Sequence, residues 1–202
     1  MQKEVEPMDL RVVKTQQLIQ DKFLELRKKK PLEKIRSGEL CELCQINRTT
    51  FYRHYQDIYD LSDQLENAAI QAMLADIKQV SVLGKDYLVR CITVARDNGH
   101  TERLALLFKG RMDVLEQKVS DLFHDMFLKG KTEKKQEIIS AFVVQGSLHA
   151  FFDLNPNLTK ITDEDIRLFS DTITSLLATL SVNKNVKSII TNNILFFFKS
   201  SL

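Results

Sequence analysis

The chain has 202 residues, 44 % of them apolar, with six Gly, three Pro and no low-complexity stretch, which allows a small module plus an ordinary domain with a sizeable core. Its formal charge of +2 is unevenly placed: residues 1–56 hold twelve Lys/Arg against eight Asp/Glu, and residues 57–202 hold seventeen against nineteen. A basic head on a slightly acidic body suits a head that meets phosphate, although much of the excess sits in Lys28, Lys29 and Lys30.

The start Met1-Gln2-Lys3-Glu4 carries no apolar signal region, and the late run Ile194 to Phe198 is far short of the roughly 20 apolar residues of a membrane span. Three cysteines without a disulfide framework fit a reducing compartment, so a cytoplasmic location is expected, with no membrane partner. Strand-like alternation is scarce and a period near 3.6 dominates, which makes the fold all-α.

From Asp9 to Lys30, Val12, Ile19, Phe23 and Leu26 share one helical stripe, and the basic run and Pro31 end the helix. A short second helix is expected from about Ser37, a natural N-cap, to Cys44. After a break at Gln45-Ile46, Asn47 caps a third helix, Arg48 to about Tyr55. Asp57 opens a long fourth helix running towards Gln79, with Ile58, Leu61, Leu65, Ala68 and Ala72 on one face. Beyond Gly84, helices are expected at about 85–98, 101–110, 111–129, 132–154 and 163–181, the last capped by Asp163. Residues 183–202 read as a short extra helix or a tail.

The informative segment is 35–55. Two short helices flank a tight turn, and Leu40, Leu43 or Cys44, Ile46, Phe51 and Tyr55 are placed to face inwards. Phe51 and Tyr55 are four apart and share one face of the third helix. Arg48, Thr49, Tyr52 and Arg53 are left on the other face, a set of donors and a flat aromatic suited to base edges and phosphates in a major groove. The start of the second helix adds backbone amides for a phosphate, assisted by Arg36 and the Ser37 hydroxyl.

This segment resembles the DNA-binding domain of the TetR/AcrR family of transcription regulators, with Ile35, Leu40, Cys44, Ile46, Thr50, Phe51, Tyr52, His54 and Tyr55 at matching positions. It is especially similar to a subset of that family from low-GC Gram-positive bacteria. The motif covers about residues 10–66; over 85–181 the likeness is one of helix number and order. The resemblance implies three parts. Residues 9–56 form a three-helix helix-turn-helix domain, 57–182 a helical effector-binding and dimerisation domain, and 183–202 an appendage. It also implies that Thr50, Tyr52 and His54 contact DNA, that Arg48, Thr49 and Arg53 face the groove, and that Ser37 caps the second helix against a phosphate. The family's turn glycine is Gln45 here, which must accept a strained or slightly different turn. The family's phosphate-binding lysine at the start of the fourth helix is Ile58.

Cys41-x-x-Cys44 has no second pair and falls on a helix, so core packing is favoured over zinc or redox work. His100, His124 and His149 lack metal-ligand spacing. No nucleophile-elbow, P-loop or zincin signature occurs, so neither an enzyme nor a cofactor or metal is expected. Phe108, Met112, Phe123, Met126 and Phe127 lie on helices that would surround the family's effector cavity, or are simply core. Phe142, Gln145, Gly146, His149 and Phe152 form one stripe. Ile166, Phe169, Ile173, Leu176 and Leu180 step by 3, 4, 3 and 4, the seam of an antiparallel helix pair. Together they make a four-helix interface across a two-fold axis, or pack within one chain. The expected function is a dimeric, ligand-responsive repressor of double-stranded DNA with an unknown small-molecule effector. The alternative is a TetR-like interaction protein without operator binding.

Overall fold

A computed structural model describes residues 10–80, 86–127, 146, 147, 149–151, 153 and 158–180; the side chains at 87, 123–127, 158 and 176–180 fall outside that description. Every regular element among the described residues is helical. The contacts divide the chain into two units, Met1–Ala68 and Ala69–Leu202.

Unit 1 opens with α1, Leu10–Lys29, whose stripe buries Ile19, Phe23 and Leu26. Pro31 stops the helix, and a single 3-10 turn, Leu32–Lys34, follows, burying Leu32. Next come α2 (Ser37–Cys44), α3 (Arg48–His54) and the long α4 (Ile58–Lys78). Lys30 Nζ reaches both carboxylate oxygens of Glu39, at 2.6 and 2.9 Å, tying the end of α1 to α2. The Cys44 thiol points at the Leu18 carbonyl, 3.8 Å away. Cys41 and Cys44 are both buried, and burial pushes the Cys44 thiol up to about 11, so both serve as small apolar residues. Of the two inward candidates on α2, Cys44 goes in and Leu43 stays 45 % exposed.

α4 begins as expected, with Asp57 Oδ1 accepting the Asp60 amide at 2.8 Å. Its inner face departs from the expected one beyond Leu65: Ala68 and Ala72 are exposed, whereas Ala69 and Ile70 are buried. Two polar residues share that buried face. Ser62 and Glu66 are both about fully covered, at 1 % exposure each, and the Ser62 hydroxyl donates to Glu66 Oε1 at 2.8 Å. Burying a carboxylate without hydrogen bonds is costly, and this i,i+4 bond supplies one of the donors that Glu66 needs.

Unit 2 contains the end of α4, α5 (Tyr87–Asp97), α6 (His100–Leu107), α7 (Met112–Phe127) and α8 (Asp163–Leu180). α5 packs on α6 and α8. The Asp76 carboxylate accepts from Asn98 Nδ2 and lies against His100 Nε2, both at 2.8 Å, fastening the end of α4 to the α5–α6 turn. Arg96 Nη1 donates to Asp163 Oδ1 at 2.6 Å and joins the end of α5 to the start of α8. The cap of α8 is Thr162 rather than Asp163: the Asp165 amide donates to the Thr162 hydroxyl and the Thr162 amide to Asp165 Oδ2, a reciprocal capping box. Between α7 and α8, residues 146, 147, 149–151 and 153 are helical, within the helix expected at 132–154.

The core of this unit absorbs residues expected at sites. Phe108 is fully buried, and Met112 packs with Val89, Ile92, Ala105 and Phe151 against Ile161 and Ile166. Ile166, expected on the seam between two chains, is 1 % exposed within its own chain, and the Phe169 ring meets Phe151 edge-on at 5.0 Å. The start of the α8 seam therefore turns inwards, because Ile161 and Phe151 offer it an apolar partner in the same chain. Ile173 is half-buried, while Gly146 and His149 are exposed and His149 Nδ1 lies 3.1 Å from Glu116 Oε1. Phe142, Gln145 and Phe152, the side chains of Phe123, Met126, Phe127, Leu176 and Leu180, and the segment 183–202 lie outside the described residues.

Candidate nucleic-acid interface

The 35–55 segment folds into two short helices joined by a turn that the backbone itself closes. The Ile46 amide donates to the Cys41 carbonyl at 3.0 Å and the Gln45 amide to the Glu42 carbonyl at 3.1 Å. These are the paired bonds that end a helix through a left-handed residue. That residue is Gln45, at φ 54 and ψ 39. Of the two outcomes open to a non-glycine here, the chain adopts the strained one, keeping the left-handed turn at a cost of about 1–2 kcal/mol. Asn47 then caps α3, its Oδ1 accepting the Thr50 amide at 2.7 Å and the Thr50 hydroxyl at 2.8 Å.

The cap and the inner face orient α3. Phe51 is fully buried and Tyr55 is 2 % exposed. Their rings pack at 5.7 Å, and Gln20 Nε2 of α1 donates to the Tyr55 hydroxyl at 3.2 Å. Burial raises the Tyr55 phenol above its ordinary value, so it stays neutral and apolar in character. Gln20 was not among the residues singled out from sequence; it lies off the apolar stripe of α1, and nothing local links it to a residue 35 positions away.

With that face inside, Arg48, Thr49, Tyr52 and Arg53 are exposed, Tyr52 at 52 %. Tyr52 leans edge-on against Phe51, the ring centroids 5.4 Å apart, so the buried ring sets the direction of the outer one. α3 carries no carboxylate, and Arg53 and His54 stand in its last turn. The face is therefore cationic and rich in donors, the chemistry that phosphates and base edges accept.

Two members of the expected set on α3, Thr50 and His54, are less exposed than the rest. Thr50 is half-buried with its hydroxyl on Asn47, so it holds the turn. His54 is half-buried, its ring 6.3 Å from that of Tyr55.

The start of α2 differs from the expected one. Ser37 is its first helical residue, not its cap; Arg36 occupies the cap position in extended conformation and no side chain caps the helix. The Ser37 hydroxyl instead lies 3.1 Å from the Tyr52 hydroxyl. This tertiary partner joins the first turn of α2 to the outer face of α3. Ile58, where the resemblance implies a lysine, is 5 % exposed and belongs to the core.

No protein-family model matches the chain, and no curated protein matches it. No described helix is long and apolar enough to cross a membrane.

Proposed function

We propose that the chain is a DNA-binding transcription regulator of the TetR type, a homodimeric repressor of a pseudo-palindromic operator that a small-molecule effector releases from DNA. The observation that carries this reading is the two-sidedness of α3. Phe51 and Tyr55 are inside, while Arg48, Thr49, Tyr52 and Arg53 are outside on a helix without a carboxylate. A helix of this width fits a major groove, and a two-fold dimer would present two such helices one DNA turn apart, about 34–36 Å. The Ser37–Tyr52 contact supports a phosphate-facing role for the start of α2.

Fluorescence anisotropy with the promoter region of its own operon tests the reading. Arg48→Ala and Tyr52→Ala are each expected to weaken specific binding by roughly 1–3 kcal/mol while leaving the oligomeric state intact. Unchanged affinity in both variants would overturn the assignment of the site.

Ile58 favours a second reading. A buried apolar residue at the start of α4 gives no phosphate contact there. A chain with fewer such contacts would serve as an interaction protein paired with another regulator. Wild-type protein that binds the promoter duplex no better than a random duplex, at low as well as physiological salt, would favour it.

A further inference from the structure

Gly38 is the second residue of α2, and its place in the interface is not one the sequence motif explains. A Cβ built on it would stand 2.9 Å from Arg48 Nη2, with Arg48 Cζ and Nε at 3.7 and 3.8 Å. The guanidinium of α3 therefore lies across the first turn of α2, in space that any side chain at residue 38 would take. One residue earlier, the Ser37 hydroxyl meets Tyr52. Arg48 and Tyr52 are four apart on α3, so both outward groups of one helical face come back onto adjoining residues of α2. Nothing negative holds Arg48 there: no ion pair among the described residues includes it. What admits it is the missing Cβ.

We infer that Gly38 is a positioning residue for the nucleic-acid interface. By leaving the surface of α2 open, it lets the Arg48 guanidinium lie against α2 one residue from where Ser37 meets Tyr52, so that Arg48 and Tyr52 both reach duplex DNA from fixed points with little side-chain freedom left to lose. The inference rests on the DNA-binding reading of the same site. Long, mobile arginines lose rotamer entropy when they bind, and a lodged one has lost it beforehand.

The obstacle met by a Cβ at 38 is the far end of a flexible side chain, not backbone. Gly38→Ala therefore separates positioning from folding. Alanine is the better helix former, so the melting temperature should hold or rise. Binding to the promoter duplex should weaken about fivefold, and the same change in an Arg48→Ala background should weaken it no further, because the effect passes through that side chain. Nitrogen-15 relaxation of the Arg48 Nε–Hε group supplies a readout independent of DNA. It should report restricted motion in the wild type and freer motion in Gly38→Ala. Wild-type Arg48 as mobile as Arg53 would overturn the inference. So would a Gly38→Ala effect that persists undiminished without Arg48, an unweakened Gly38→Ala, or a melting point below the wild type. If the wild type binds no duplex at all, the DNA reading falls, while the relaxation result still decides whether Gly38 sets the arginine.

Discussion

At the start of α3, the Asn47 side chain accepts the Thr50 amide at 2.7 Å; at the start of α2, the residue in the same position is Arg36, and no side chain accepts an amide. The two helix starts belong to one pair of short helices joined by a turn, yet one is closed by its own sequence and the other is open. The hydroxyl that would have closed α2, on Ser37, reaches Tyr52 of α3 instead. The difference shows how a small unit divides its polar groups. Those around the turn fix the angle between the helices, and those at the outer end of α2 are left facing solvent beside the cationic face of α3.

Breaking the closed side should cost the fold most. Phe51 is fully buried between Tyr52 and Tyr55, and Phe51→Ala is expected to destabilise unit 1 by about 3–5 kcal/mol in urea unfolding followed by circular dichroism. A loss below 1 kcal/mol would mean that the inner face of α3 is not packed as described. The strained turn sharpens the comparison from the opposite direction. Gln45→Gly should raise stability by roughly 1 kcal/mol, since glycine adopts the left-handed region without a Cβ penalty. A destabilised Gln45→Gly would show that the turn is not left-handed in solution. The two caps then give the finest contrast. Asn47→Ala should cost about 1 kcal/mol of stability, whereas Ser37→Ala should stay within about 0.5 kcal/mol in stability and act on DNA binding instead. Equal stability losses for the two would erase the distinction between a closed and an open helix start.

The elements of unit 1 were legible because each is announced locally. The stripe Ile19, Phe23 and Leu26, the stop at Pro31, the cap at Asn47 and the i,i+4 pair Phe51 and Tyr55 need only neighbours along the chain. What was not legible depends on groups far apart in sequence. Ser37 looks like a cap until Tyr52, 15 residues on, offers its hydroxyl. The α4 stripe was drawn through Ala68 and Ala72 because apolar spacing passes over Ser62 and Glu66, whose burial shows where the inner face runs. In α8 the 3-4 spacing picks out Ile166 and Phe169, but spacing alone does not say whether the partner is another chain or, as for Ile166, Ile161 of the same one. The outward set Arg48, Thr49, Tyr52 and Arg53 was legible by subtraction from the inner face. The lodging of Arg48 over Gly38 was not, because it depends on the distance between two helices.

The central claim is that the outer face of α3 and the first turn of α2 meet DNA together. An NMR titration of the isotope-labelled full chain with the promoter duplex tests it most directly, through the backbone amides of both elements. The largest shifts are expected at Arg36, Ser37, Gly38, Arg48, Thr49, Tyr52 and Arg53, with the buried amides of Ile19 and Phe23 little moved. Shifts that avoid residues 36–53 altogether, with binding demonstrated in the same tube, would contradict the account.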